Sequence, residues 1–266
     1  MSAVVDEVSR DDVFSAYPVS TVLGTPIHGM TLEQAVDEID IAIKSRRRLN
    51  IGVVNAAKLV NMRRDKTLRD DVLSSDMILA DGAAAVWGSK VLGNPLPERV
   101  TGIDLMSSVM ARGDSESYRV FLLGASEEIS EKVETRFNEM YPGAIIAGRR
   151  NGYYSPDEEE AIAHQIRDAK ADVLFVAITS PKKENFMATW GDTMNVTVCH
   201  GVGGSFDVVA GKVERAPERW QKLGLEWLYR VKQEPFRLGR RYLVTNTLFC
   251  WFLLKERLGF KIRSAD

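Results

Sequence analysis

The chain has few of the residues that build metal centres and disulfides. Its 266 residues include only two cysteines, Cys199 and Cys250, and three histidines. Two cysteines are too few for a disulfide framework or a cysteine zinc site, and they fit a protein of a reducing cytosol. The three histidines, His28, His164 and His200, are scattered along the chain without the spacing of metal ligands. The sequence therefore predicts no metal site.

Long apolar segments and several common catalytic motifs are missing as well. Residues 1–16 are polar and acidic and lack the apolar centre of a signal peptide. The apolar run Leu248–Leu254 is far shorter than the ~20 residues that a membrane-spanning helix needs. No Walker loop, no Gly-x-Ser-x-Gly elbow and no internal repeat is present. We expect a protein that lies on a membrane without crossing it.

Charge and aromatic residues are concentrated at the C-terminal end. Residues 212–266 carry 13 Lys and Arg against 6 Asp and Glu, a net charge of +7, whereas the whole chain carries −2. Three of the five tryptophans also fall there. A basic, aromatic segment predicts that the protein acts at an anionic surface, which is a bilayer, a lipid-linked phosphate or a nucleic acid. We divide the chain into a flexible leader (1–16), an α/β domain (17–211) and a membrane-associating appendage (212–266).

The middle of the chain alternates short apolar runs with segments of helical period. The capping-box pattern from Thr31 to Gln34 predicts a helix start. Such alternation predicts an α/β fold, a Rossmann-like, mostly parallel sheet flanked by helices, with a basic amphipathic helical appendage at the C-terminus. The predicted strands are Leu49–Val54, Met77–Ala80, Val120–Leu123, Ile145–Ala147, Val173–Ile178 and Val196–Cys199.

Ligands of parallel sheets bind at the carboxyl ends of the strands, so the loops there contain the candidate site residues. Asp81 follows the second predicted strand of this series. A carboxylate in such a cleft can act as a general base, and it can equally cap the next helix through a side-chain oxygen. The other candidate loops are Asn55, Thr179–Glu184 and His200–Ser205.

The loop His200–Ser205 contains three small glycines, which let backbone amides approach a phosphate. As a dinucleotide fingerprint it is defective, because Phe206 stands in the place of the third glycine. The alternative is a tight turn between a strand and a helix. In the loop before it, Lys182 or Lys183 either reaches an anion or belongs to a solvated helix start.

The appendage begins with an apolar stripe at helical spacing from Trp220 to Val231, and Pro235 is expected to break that helix. Two interpretations remain open: an ordinary pair of packing helices with solvated basic faces, or an interfacial element that places aromatic rings among headgroups and basic groups against phosphates. The basic residues that would do so include Arg230, Arg237, Arg240 and Arg241.

The order of these motifs resembles the WecG/TagA/CpsF group, glycosyltransferase family 26, from about Val22 to about Arg241. The densest part of the resemblance is Gly201–Gly211 continuing through Arg215–Pro217 and Leu223–Arg230 to Glu234-Pro235. The other blocks are Asn55–Lys58, Ala80–Gly82, Arg99–Leu105, Asn151–Tyr154 and Ser180–Lys182.

The resemblance implies an inverting, metal-independent transferase without a cofactor. It would move a sugar from a UDP-sugar to a polyprenyl-diphosphate-linked sugar at the inner face of the plasma membrane, in cell-surface or exopolysaccharide synthesis. Asp81 is then similar to the family's catalytic base, and the C-terminal arginines to the appendage that closes the site. The resemblance implies that Asn55 and Arg99 bind substrate. A transfer without a metal must also neutralise the leaving diphosphate, and the residues expected to do so are Lys183, Gly201, Gly203 and Gly204.

Two positions depart from the family pattern, since Lys183 stands where glutamine is common and Val53 where threonine is common. Both positions bear on the identity of the donor, which on the resemblance is expected to be of the UDP-N-acetylmannosamine type or UDP-glucose. The alternatives are an NAD(P)-dependent oxidoreductase and a non-catalytic membrane-surface protein; a nucleic-acid partner fits least, because the chain is slightly acidic. Acceptor sugar, linkage, final polysaccharide and a possible homo-oligomer are not predicted by the sequence.

Overall fold

A computed structural model describes residues 14–260, without the side chain of Arg237. Its centre is a six-stranded parallel sheet with the strand order β4-β3-β8-β7-β5-β6. A separate antiparallel hairpin consists of β1 and β2. The α/β fold predicted from the sequence is confirmed. The strands are β1 Val19–Val22, β2 Thr25–His28, β3 Leu49–Val54, β4 Met77–Ala80, β5 Arg119–Gly124, β6 Ile145–Arg150, β7 Val173–Ala177 and β8 Val198–Gly201.

Helices cover both faces of the sheet, and the central strands are correspondingly apolar on both sides. All five residues of the central strand β7 are buried, as are all four of β4 at the edge of the sheet. Burial on both faces explains why these strands are continuous apolar runs instead of alternating ones. The helices are α1 Leu32–Ser45, α2 Ala56–Asn61, α3 Lys66–Leu73, α4 Ala83–Val91, α5 Gly102–Glu116, α6 Glu127–Met140, α7 Glu159–Asp168, α8 Lys182–Met194, α9 Ser205–Val209, α10 Glu218–Lys222, α11 Glu226–Gln233 and α12 Pro235–Arg257.

The predicted capping box at the start of α1 is confirmed. Thr31 Oγ1 accepts the amide of Gln34 at 3.2 Å, and Gln34 Oε1 accepts the amide of Thr31 at 2.9 Å. We expect Thr31→Ala to lower the free energy of unfolding by about 1 kcal/mol, because the amide of Gln34 in the first turn loses its side-chain acceptor. Urea denaturation measures the loss. Thr31→Ser, which keeps the hydroxyl, is the control, and equal losses in both variants would contradict the capping role.

The last strand is shifted from its predicted position. The sequence placed a strand at Val196–Cys199 and a loop from His200 onward, whereas β8 runs to Gly201. The loop prediction was wrong for these two residues because His200 and Gly201 pair in register with Phe175 and Val176 of β7. Gly201 therefore belongs to the rigid sheet, and the loop begins at Val202.

The C-terminal helices fold back onto the α/β body. Pro235 ends α11 and begins α12, as expected for a residue that cannot continue a helix. Phe249 and Leu253 of α12 are fully buried in the cluster that includes Leu59 of α2. Glu256 of the same helix accepts the amide of Leu23 at 2.9 Å. The appendage thus contributes core side chains, and the domain boundaries proposed at residues 16 and 211 stay predictions.

Within residues 14–260, no helix is both long enough and apolar enough to cross a bilayer.

Candidate active site

Two adjoining cavities lie at the carboxyl edge of the sheet. The tail-side cavity, about 510 Å³, lies under α11 and α12 and is lined by residues such as Trp87, Arg99 and Trp227. The central cavity, about 630 Å³, lies over the ends of β5 and β7 and is lined by residues such as Ser126 and Thr179. The wall that both cavities share consists of Val53, Asn55, Ala57, Asp81, Lys183, Gly203, Gly204 and Arg241.

Asp81 lies in this shared wall, directly after β4. Its Oδ1 accepts the backbone amide of Gly102, the first residue of α5, at 3.0 Å. The alternative interpretation, that Asp81 caps the helix that follows it, was wrong: the cap of α4 is Gly82, which has no side chain to bond. Asp81 is therefore held by one amide and faces two cavities.

The environment of Asp81 makes it a stronger base than an ordinary carboxylate. Burial raises the pKa of its carboxyl group, and the Gly102 amide and the charges of Arg230, Lys183 and Lys58 offset part of that rise. A raised pKa brings a carboxylate closer to the value at which it removes a proton well near neutral pH. The site thus holds a base with three cations near it.

Asn55 follows β3 and is the N-cap of α2. Its Oδ1 accepts the amide of Lys58 at 3.1 Å. A Cβ on Gly82 would lie 3.2 Å from the Cβ of Asn55, so the loops after β3 and β4 touch. The capping bond fixes Asn55 in the shared wall. Its predicted contact with a substrate sugar stays a prediction.

Lys183 lies in the first turn of α8 and is buried. Burial and the nearby Lys58 lower the pKa of its ammonium to about 8, while Glu184 and Asp81 raise it. Glu184 Oε1 lies 2.8 Å from Lys58 Nζ and 3.6 Å from Lys183 Nζ. Of the two open interpretations of this segment, a solvated helix start does not describe Lys183.

The loop after β8 uses most of its amides within the protein. The amides of Val202 and Gly203 donate to Val176 O at 2.9 and 3.4 Å, and the amide of Ser205 donates to Val202 O. Gly203 has a φ of +54°, in the left-handed region that favours glycine. These amides therefore bind the turn to β7. The charged group that faces the cavities beside this loop is the ammonium of Lys183, from α8.

The arginines predicted for the site take different positions. Arg99 Nη1 donates to Glu226 at 3.1 Å and Arg230 Nη2 to the same carboxylate at 3.4 Å, both within the tail-side cavity. Arg241 lines both cavities, while Arg240 is exposed and lines neither. The side chain of Arg237 lies outside the described part of the structure.

His200 is buried beside the site and stays neutral. Its Nε2 lies 3.3 Å from Gly102 O, and burial lowers its pKa to about 4. Among residues 14–260, no three His, Cys, Asp or Glu side chains are grouped to hold a metal ion.

Three charged residues of the site had no role assigned from the sequence: Lys58, Glu184 and Glu226. Lys58 and Glu184 are 126 residues apart, so their 2.8 Å pairing is a tertiary contact that no local pattern predicts. Both nevertheless stand in segments that the sequence singled out, the block Asn55–Lys58 and the candidate loop Thr179–Glu184. A charged residue in a segment that follows a strand was the available indication.

A comparison with protein-family models agrees with this geometry. The model described as "Glycosyl transferase WecG/TagA/CpsF family" matches residues 20–263. The matched range covers nearly the whole chain, including all strands of the sheet, the residues of both cavities and the C-terminal helices.

Proposed function

The chain belongs to the WecG/TagA/CpsF family of glycosyltransferases, which act in cell-surface polymer synthesis, and on that premise we propose the course of its reaction. It moves a sugar from a UDP-sugar to a polyprenyl-diphosphate-linked sugar, with inversion and without a metal ion. The observation that carries the proposal is the shared wall, where a base, Asp81, and a buried cation, Lys183, lie together between two cavities.

We assign the donor to the central cavity. Its volume of about 630 Å³ falls in the range of small-molecule sites. The N-caps of two long helices, Ser126 of α6 and Pro181 of α8, line it, and helix N-termini favour phosphate groups. Besides Lys183 and Arg241 of the shared wall, three cations line this cavity and complement a diphosphate: Lys58, Arg64 and Lys212.

We assign the lipid-linked acceptor to the tail-side cavity. Trp87 and Leu223 line this cavity and remain 50% and 73% exposed, so its rim presents apolar side chains to the outside. Arg99 and Arg230 provide positive charge for the acceptor diphosphate. An acceptor that enters from a membrane surface at the cytoplasmic face would bring its sugar hydroxyl to Asp81.

In this arrangement the chemistry takes place at the shared wall. Asp81 removes the proton from the acceptor hydroxyl while the hydroxyl oxygen forms a bond to the anomeric carbon of the donor sugar. This attack comes from the tail-side cavity. The bond from that carbon to the UDP oxygen breaks on the central side, and the electron pair stays with UDP. Lys183 neutralises the charge that develops on the leaving diphosphate. Attack and departure on opposite sides invert the anomeric centre.

UDP release by the purified protein tests this proposal. We expect release from one member of a panel of UDP-sugars, including UDP-N-acetylmannosamine and UDP-glucose, only when a short-chain lipid-diphosphate sugar is present. EDTA should leave the rate unchanged. The same panel identifies the donor sugar. Lys183, which stands where the family commonly has glutamine, is the position at which a different donor preference is expected. Rapid UDP release that requires a divalent cation would overturn the metal-free mechanism.

The dinucleotide alternative finds no support at its own loop. Phe206, in the place of the third glycine, is fully buried in the main core cluster. A bulky core side chain there leaves no room for the close packing of the helix against the strand that the third glycine permits. The absence of any NAD(P) effect on the unfolding temperature would complete the exclusion.

A further inference from the structure

The carboxylate of Glu184 connects two lysines beside the base. It is 8% exposed, and its Oε1 lies 2.8 Å from Lys58 Nζ and 3.6 Å from Lys183 Nζ. We propose that Glu184 is a positioning residue, which acts through Lys183: it holds the Lys183 ammonium, charged, against the donor diphosphate. This inference rests on the proposed function, because it takes the central cavity as the donor site.

The path of the Lys183 side chain is confined from the opposite side by β8. A Cβ on Gly201 would lie 3.0 Å from Lys183 Cε, and one on Gly203 would lie 3.7 Å from Nζ. The stem therefore lies against bare backbone, and the ammonium has Glu184 on one side and the glycine turn on the other. A carboxylate at this point can fix the direction of the ammonium, since the stem has little freedom left.

The charges around Lys183 come from several elements. The net charge of Lys58, Lys183, Glu184 and an ionised Asp81 is zero. It becomes +1 once Asp81 has accepted a proton. In the proposed reaction Asp81 gains its proton while the leaving UDP gains a negative charge, so the two changes compensate each other. Without Glu184 two ammonium groups would repel each other at this point. The further titratable or charged groups of the surroundings are Asp71 of α3, His200 of β8 and Arg241 of α12.

The sign of the pH dependence follows from these neighbours. Lys183 has a pKa of about 8, and Glu184 raises it while Lys58 lowers it. A diphosphate binds the ammonium and not the neutral amine. The affinity for UDP must therefore fall as the pH rises through about 8, and each neighbouring charge must move that midpoint in a known direction.

Calorimetric titration with UDP from pH 7 to 9.5 tests the proposal without acceptor and without turnover. We expect Glu184→Gln to move the midpoint down by about one pH unit, the size of shift that one nearby opposite charge produces. Lys58→Met should move it up, and the double variant should return towards the wild-type midpoint because the two effects oppose each other. Lys183→Met should remove this pH-dependent step.

Asp192→Asn is the matched control, because Asp192 lies on the same helix as Glu184 but its side chain is 95% exposed. The pH midpoint of UDP binding in this variant should equal that of the wild type. A wild-type affinity that does not change across pH 8, or a Glu184→Gln midpoint equal to the wild-type one, would overturn the proposal. If Glu184→Gln does not fold because Lys58 is left buried and unpaired, the double variant, which removes both partners of that pair, is compared with Lys58→Met instead. A midpoint in the double variant equal to that of Lys58→Met also overturns the proposal.

Failure of this inference and failure of the proposed function give different results. A protein that transfers sugar but binds UDP with a pH-independent affinity would keep its function and lose the positioning role of Glu184. A protein that shows all the midpoint shifts but transfers no sugar to any acceptor would keep the positioning role and lose the proposed function.

Discussion

Replacement of Asp81 by asparagine is expected to lower the rate of sugar transfer by about 10²–10⁴-fold, the usual contribution of a general base. Asparagine has the shape of the carboxylate but cannot accept the acceptor's proton. The KM for the UDP-sugar should change little, because the donor binds mainly in the central cavity. UDP release at saturating donor and acceptor measures the loss, and a folded Asp81→Asn enzyme with the full rate would remove Asp81 from its role.

The fold of this variant should remain intact. The amide oxygen of asparagine can accept the Gly102 amide as Asp81 Oδ1 does at 3.0 Å. A carboxyl group with a raised pKa costs stability once the pH exceeds its ordinary value, because the folded protein must then bury the charge. At neutral pH Asp81→Asn should therefore unfold at a temperature no lower than the wild type, which excludes misfolding as the cause of lost activity.

The pH profile of the wild type provides a second measurement of the same base. Below the raised pKa of Asp81 the carboxyl is protonated and cannot act, so the transfer rate should fall at a higher pH than an ordinary aspartate would give. Above about pH 8 Lys183 loses its charge and donor binding weakens. We expect a bell-shaped dependence of kcat/KM between these limits. The acid limb should be absent from the residual activity of Asp81→Asn.

The strand ends could be predicted from the sequence because they depend on local patterns. Leu49–Val54 and Met77–Ala80 are apolar runs stopped by polar or flexible residues, and both strands have those bounds in the structure. Asn55 and Asp81 were found for this reason. The end of β8 was misplaced because Gly201 is a poor strand residue by itself, and only its pairing with Val176 keeps it in the sheet.

The contacts between distant segments could not be predicted in the same way. Glu184 was part of the candidate loop Thr179–Glu184, but its partner Lys58 comes from another helix, and the pairing depends on how α2 and α8 pack. The stripe from Trp220 to Val231 suggested one helix, whereas Gly224, with a φ of +71°, separates α10 from α11. The burial of Phe249 is likewise a property of the folded chain, because its neighbour Trp251 is just as apolar and lies outside.

The outward face of α12 leads to the second large expected effect. Its exposed apolar side chains are spaced one or two helical turns apart, except for the adjacent pair Leu243 and Val244, and Lys255 Nζ lies 4.9 Å from the centre of the Trp251 ring. An exposed apolar stripe with basic neighbours is typical of a helix that lies in a membrane interface. The stripe consists of Phe236, Leu243, Val244, Trp251, Leu254 and Leu258.

Deletion of the appendage after Gly211 cannot test the expected membrane contact cleanly. It would remove Phe249 and Leu253 from the core together with Glu226 and Arg230 from the tail-side cavity. Loss of vesicle binding would then be indistinguishable from unfolding. Substitutions on the exposed face of α12 avoid the problem, since Trp251 and Leu254 line neither cavity.

We expect the double variant Trp251→Glu/Leu254→Glu to lose vesicle binding by roughly 100-fold or more. Each large apolar side chain contributes about 1.5–3 kcal/mol when it is buried in an apolar phase, and the added carboxylates are repelled by anionic lipid. Sedimentation with anionic vesicles measures the binding. Ile41→Glu, at a residue of α1 that is 52% exposed, against 53% for Trp251, is the matched control. Transfer to a short-chain soluble acceptor should continue, because the active site is untouched. If the double variant sediments with the vesicles as completely as the wild type, the apolar stripe serves another contact. Any membrane binding would then depend on the basic residues alone.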